Sequence, residues 1–315
     1  MKKFLVKFLC FLLLLAIPFG IVGCWYHALS PISDELRIPL KDMPETIDLA
    51  VIGSSHALYG VDLSAYSENY FNFSLAGQTP RYDLQMLKEF EDRMAEGATV
   101  IMTVSYMSPF WTEPESQFLE KQTRYYRLLS PENILHYDAK EAFRVKLTQY
   151  IPASRIFFTD ASTVLQTIAK SFHKAQEPSH ASPGTPWYEN IDHQTEVLEK
   201  KHMELIEPWF PEMNPDVAQA YEGIFALAEK HDWNLIAVTT PFTDVYNDIF
   251  DDDFYEVFYG HVDRMLSAHD VPYWDYSRDP QFTHELDLFS DLDHLSAEGS
   301  RRFSQILADR LSLGK

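Results

Sequence analysis

Three short stretches carry side chains able to make and break an acyl bond. Gly53-Ser54-Ser55-His56 supplies hydroxyls and an imidazole. Asp291-Leu292-Asp293-His294 supplies two carboxylates and a second imidazole. Asn72 to Gly77 sets an amide and a glycine near one another. A serine hydroxyl is a weak nucleophile until a base takes its proton, and histidine does this best near neutral pH. A carboxylate beside the histidine holds its tautomer and stabilises the imidazolium. Asp291 and His294 are three residues apart, so one short turn delivers both to Ser55. His56 is adjacent to Ser55 and points elsewhere by geometry, which suits a supporting role better than that of base. Asp293, directly before His294, competes with Asp291 as the orienting carboxylate. Each stretch also has an ordinary reading, since Gly-Ser-Ser makes turns and Ser296 makes a good helix N-cap.

The elements around these residues place them at comparable positions. Ile47–Ile52 is a short apolar run that stops at Gly53, the mark of a buried strand ending in a tight turn. Phe71–Ala76, Thr99–Val104, Leu235–Thr240 and Val271–Tyr276 read as four further strands. Between and after them run helical patterns: Leu84 to Met94, Val217 to Lys230, Tyr255 to His269, and a closing amphipathic helix marked by Phe303, Ile306, Leu307 and Leu311. Strands alternating with helices predict a parallel sheet covered on both faces. In such sheets the reactive groups lie just past the carboxyl ends of the strands, where Ser55, Gly77 and the Asp291–His294 turn all fall. Ser55 and His294 are therefore expected to meet, with Asp291 on the far ring nitrogen.

The blocks and their order resemble the SGNH (GDSL-like) hydrolase superfamily over the chain from about Ile47 onward, an insertion excepted. Gly53-Ser54-Ser55 stands where that family has Gly-Asp-Ser, so Ser55 is implied as nucleophile. Gly77 corresponds to the glycine whose backbone N–H enters the oxyanion hole, together with the N–H of Ser55. Asp291 and His294 correspond to the Asp-x-x-His block, followed by Leu295 and Gly299 as is usual there. The third block departs: Val104-Ser105-Tyr106-Met107 replaces Gly-x-Asn-Asp, which leaves the Ser105 hydroxyl as a substitute donor. Loss of one oxyanion donor costs about 3–4 kcal/mol in a well-studied protease. The resemblance implies a flavodoxin-like three-layer α/β/α fold with a parallel sheet of about five strands, and acyl chemistry that needs no cofactor. Arg81, four residues past Gly77, and Tyr106 are candidates for substrate contact.

The remaining features bound the setting. Lys2, Lys3 and Lys7 precede and punctuate an apolar run from Phe8 to Trp25, the pattern of an export signal. Two outcomes stay open: a retained anchor over residues 1–28, or cleavage before Cys24, because Ile21-Val22-Gly23-Cys24 resembles a lipobox that would place lipid on Cys24. Residues 29–45 read as a linker, and residues 46–315 as the domain. Within it, about 111–214 breaks the strand–helix rhythm and reads as an inserted, mainly helical segment. A tethered extracytoplasmic domain of this kind is similar to acyl-transfer proteins of cell-surface polymer modification. That similarity implies an acylated surface glycan as substrate and a membrane-bound acyltransferase as partner.

Composition agrees with this setting. The 315 residues carry 26 Lys+Arg against 47 Asp+Glu, a net charge of −21, which argues against nucleic acid. The only cysteines, Cys10 and Cys24, lie in the apolar run, which excludes a disulfide framework and a Cys-ligated zinc in the domain. His180, His193 and His202 fit no metal-ligand spacing, Asp251-Asp252-Asp253 lacks the rest of a calcium loop, and no metal is expected. Tyr125-Tyr126 and Trp187-Tyr188 read as packing residues, with sugar stacking as the other reading.

Overall fold

The structure is a computed structural model, and it describes residues 2–29, 40–111, 123–174 and 187–313. The chain folds into two compact units: residues 35–122, 128–135 and 186–315 in one, and residues 1–34, 123–127 and 136–185 in the other.

The larger unit is built on five parallel strands: β1 (Ile47–Ile52), β2 (Tyr70–Asn72), β3 (Met94–Thr103), β4 (Asn234–Thr239) and β5 (Tyr273–Asp275). Their order is β2-β1-β3-β4-β5. Register pairs Leu49 with Tyr70 and with Thr99, Thr103 with Val238, and Val238 with Trp274. The reversal of winding at β1 opens a crevice beyond the carboxyl ends of β1 and β3, which is where such sheets bind ligands. Alternate residues divide between the faces. Leu49, Val51, Ile101, Ile236 and Val238 pack with Ala57 of α2 (Ser55–Gly60) and with Phe303 and Leu307 of the last helix, Ala297–Arg310. Elsewhere α3 (Pro80–Glu89) lies against the long helix Pro215–Lys230, where Gly223 leaves room only for the Leu84 side chain. The last helix is capped by Ser296, whose hydroxyl accepts from Gly299 N–H.

Two strands are shorter than their apolar runs predict. β2 ends at Asn72 because that side chain replaces the ladder: Oδ1 accepts from Ser74 N–H, and Nδ2 donates to the carbonyls of Ala57 and Val61. β5 starts only at Tyr273 because Val271 N–H is spent on the Leu266 carbonyl and Pro272 has no N–H to give.

Between β3 and β4 the described residues contain only helices and turns. Two of the helices, α4 (Ala139–Tyr150) and α5 (Ala161–Lys174), belong to the smaller unit; α6 (Ile191–Ile206) and α7 (Pro215–Lys230) belong to the larger one. Three more helices complete the larger unit: α8 (Asp244–Asn247), α9 (Asp252–Ser267) and α10 (Ala297–Arg310). The smaller unit also contains α1 (Lys2–Leu29), whose side chains Phe4, Leu14, Ile17 and Ile21 are exposed. The segment Pro152–Phe157 packs on α1, with Phe157 stacked on Phe19. Among the described residues no helix is long and apolar enough to cross a membrane. The side chains at positions 9, 10, 12, 13 and 15, within the apolar run, lie outside the described set.

Candidate functional site: a Ser-His-Asp chain with a second, buried carboxylate

The turn after β1 is shaped by backbone constraint. Gly53 has φ +141°, and a Cβ there would strike the Thr103 hydroxyl and press on Ala57. Only glycine fits, and the turn delivers Ser55 to the first position of α2, half-buried at the crevice. Gly77 has φ +65° in the loop after β2, a left-handed conformation that suits glycine. Asp83 of α3 ties the two turns together. It is buried, accepts from the Gly53 N–H, and accepts from Gln78 Nε2 at 2.7 Å. Gln78 Nε2 also donates to the Phe73 carbonyl at 3.1 Å. Burial is the main effect on the Asp83 carboxyl and pushes it up to about 7, against the pull of these two donors.

His294 Nε2 lies 2.8 Å from Ser55 Oγ. Its Nδ1–H donates to Asp291, at 2.9 Å from Oδ1 and 3.0 Å from Oδ2. Asp291 Oδ1 also accepts the backbone N–H of Asp293 and of His294, so the same carboxylate shapes the turn that carries the histidine. Ser55, His294 and Asp291 thus form a continuous hydrogen-bonded chain.

Asp293 is engaged on the buried side through one of its two oxygens. Its Oδ2 accepts from His56 Nε2 at 3.0 Å and lies 3.9 Å from His202 Nε2. Its Oδ1 sits 3.2 Å from His294 Nδ1, close enough for charge attraction but without the alignment of a hydrogen bond. The His56 ring stacks on that of His294 at 4.9 Å and 15°, and Tyr59 meets the His294 ring edge-on. His202, on α6, is buried, and its Nδ1 pairs with the Tyr246 hydroxyl at 3.0 Å.

These contacts set the charges. Burial works against a charged His294, but the Asp293 carboxylate, helped by Asp291, raises it to about 10. Burial lowers His56, and lowers His202 to about 4. Burial also opposes charge on Asp293, yet His294 and His56 hold it well below the usual carboxylate range. These directions favour the charged forms of His294 and Asp293 and the neutral forms of His56 and His202. The ligand atoms of His56, Asp293 and His294 lie within 4.8 Å of one another, close enough for a metal ion.

Three other expected site residues have their polar partners elsewhere. Ser105 is buried, its N–H donates to Ser108 Oγ at 2.8 Å, and the two hydroxyls share a hydrogen bond at 3.1 Å. Its hydroxyl and its N–H are both engaged with Ser108 in a local turn. Tyr106, expected at the substrate, is fully buried. It is packed by Phe242, Tyr246 and Phe258, and its hydroxyl donates to Asn247 at 2.7 Å. The apolar contacts of its ring make it a core residue. Arg81 pairs with Asp216 at 3.3 Å, in a cavity lined also by Gln85 and Lys88 that includes none of Ser55, His294 or Asp291. The expectation for Tyr106 is corrected on these grounds, and Arg81 lines a cavity of its own.

A different cavity, of about 310 Å³, borders the chain: Asp291 and Leu292 line it with His193, Val197, Leu198 and Lys201 of α6. Asp251 caps α9 by accepting from Phe254 N–H. Tyr125 is buried, and Trp187 Nε1 donates to the Phe289 carbonyl. Cys24 is an exposed free thiol, and His180 lies outside the described residues. Sequence reasoning missed the positions of His202, Tyr246 and Asp83, because nothing local ties them to residues 53–56 or 291–294. Compared with known proteins, the chain matches no family model and no curated protein.

Proposed function

We propose that this protein is an SGNH-type serine esterase or O-acyltransferase. Its proposed setting is the outer face of a membrane, and its proposed substrate an acyl ester of a cell-surface glycopolymer. The observation that supports this most is the chain Ser55 Oγ–His294 Nε2 at 2.8 Å and His294 Nδ1–Asp291 at 2.9 Å. In this reading Ser55 attacks the acyl carbonyl while His294 takes its proton, then returns a proton to the departing alkoxide. Asp291 orients the ring. The backbone N–H groups of Ser55 and Gly77 face the oxyanion, and Ser105 has no part in it. The acyl-serine is then resolved by water or by a polymer hydroxyl. No cofactor enters these steps. The cavity beside Asp291 offers space to the alcohol side of the ester.

The anchor belongs to the same reading. It is supported by Lys2, Lys3 and Lys7 ahead of the apolar run and by the exposed apolar side chains of α1. Membrane attachment is either by the retained segment or by lipid on Cys24, with a membrane-bound acyltransferase as partner and no nucleic acid. The segment of about 111–214 is the inserted part of the domain in this reading.

A fluorophosphonate probe applied to the full chain tests the chemistry. The expected result is one adduct on Ser55, absent from Ser55→Ala. No adduct on Ser55 anywhere between about pH 7 and pH 10 overturns it. The second reading, a binding or scaffold protein that has lost efficient catalysis, is favoured by the Ser105–Ser108 pair standing where an asparagine donor would be. An unlabelled Ser55 that still retains glycan binding would establish that second reading.

A further inference from the structure

Asp291 and Asp293 both face Nδ1 of His294, but they are not equivalent. Asp291 is half-exposed, with 46 % of its side chain accessible, and it is occupied by two backbone N–H groups besides the ring. Asp293 is 2 % accessible and makes none of those turn contacts. One oxygen faces His294 at 3.2 Å and the other is clamped by His56 at 3.0 Å. A hydrogen bond sets direction, whereas a buried charge acts strongly because little solvent screens it. His56 also covers one face of the His294 ring, so the His56–Asp293 pair controls both the ring's plane and its electrostatic surroundings.

We infer that the two carboxylates divide the work: Asp291 orients His294 by hydrogen bonding, while Asp293, held by His56, is a positioning residue that fixes the charge and plane of the same ring from the buried side. The groups that face His294 are then Asp291 and Asp293 on its own loop and Ser55, His56 and Tyr59 on α2. Behind Asp293 stands His202 of α6, bonded in turn to Tyr246 of α8. The arrangement explains why a histidine follows the nucleophile directly: His56 serves Asp293 and not Ser55. Breaking the pair leaves a buried carboxylate without its donor, a larger loss than removal of an exposed charge.

The kinetic part of the test rests on the serine-enzyme reading, whereas the ring titration does not. In the full chain, the rate of fluorophosphonate labelling is followed against pH, and ¹⁵N NMR of the His294 ring follows its protonation. Asp293→Asn is expected to lower the high-pH plateau about tenfold and to move the His294 titration down by about one pH unit or more. Asp291→Asn is expected to lower the plateau further, about a hundredfold, with the smaller titration shift. His56→Phe should behave like Asp293→Asn, and His56→Gln, whose amide keeps a donor, should recover part of the lost rate.

Several outcomes overturn the inference. In one, the His294 titration is unmoved in both Asp293→Asn and His56→Phe. In another, it moves more in Asp291→Asn than in Asp293→Asn. Labelling abolished by EDTA and restored by zinc would also overturn it, by making the cluster a metal site. If Ser55 is never labelled but the titration shifts appear as stated, the serine-enzyme reading fails while the division between the carboxylates stands.

Discussion

His294 brings together most of the site's chemistry, and its proton affinity is the first quantity to measure. Burial alone would make it a weaker base than a free histidine, but Asp293 and Asp291 reverse that and raise it to about 10. Only the neutral ring can take the Ser55 proton, so activity should climb with pH from neutrality and level off near pH 10. A labelling or esterase profile already flat at pH 7 would contradict the charge arrangement. The same shift carries a stability consequence. A histidine raised in the folded state contributes stability that is complete below pH 6.5 and is lost as pH rises through about 10. Replacing the ring, His294→Gln, should slow fluorophosphonate labelling by about 10²- to 10⁴-fold, the usual contribution of a positioned base.

At the scale of elements, the question is what ties the turn after β1 to the loop after β2. The bridge is Asp83, accepting from Gly53 and Gln78. Its carboxyl is raised from 3.8 to about 7. A raised acid binds its proton more tightly folded than unfolded, so it stabilises the fold below about pH 4. That stability falls away as pH climbs to about 7 and changes little above. Asp83→Asn, which stays neutral, should flatten that slope, by a few kcal/mol across the interval. Thermal unfolding midpoints between pH 4 and pH 8 would show it; parallel wild-type and variant curves would refute it. Gly53→Ala should lower stability by about 1–3 kcal/mol, because its φ of +141° is closed to alanine and the new methyl meets Thr103. A midpoint equal to wild type would show that the turn relaxes freely.

At the scale of the whole molecule, charge and the N-terminal segment bear on the proposed setting. A chain of net charge −21 is poorly matched to anionic polymers unless a local cation, such as Lys201 beside the Asp291 cavity, offsets it. If residues 1–28 tether the protein with its domain outside, protease added to intact cells or spheroplasts should digest the domain. Protection until lysis would place the domain on the other side. Metabolic palmitate labelling that disappears in Cys24→Ala would select the lipid-anchored form over the retained segment.

Local pattern was enough to find the sheet. Apolar runs of strand length, each stopped by glycine or proline or by a polar turn, marked all five strands, and the helices between them required that the strands run parallel. Ser55 was legible for the same reason, because a parallel sheet places the residue after each strand at one edge; Asp291 and His294, well past the end of β5, were legible from their Asp-x-x-His spacing. The strand ends were not legible, since Asn72 and Val271 spend their hydrogen bonds on groups distant in sequence or on a preceding helix. Tyr106 and Arg81 looked like substrate contacts by adjacency to site residues. Only packing shows one sealed among the aromatic rings of α8 and α9 and the other paired with Asp216. Sequence left Asp291 and Asp293 open as rivals, and one residue of separation decides little by itself. Their difference arises when His56, 237 positions away, closes on Asp293 and excludes water from it, while Asp291 stays half in solvent. Burial is a property of the assembled chain, and it is burial that turns two neighbouring aspartates into groups with different work to do.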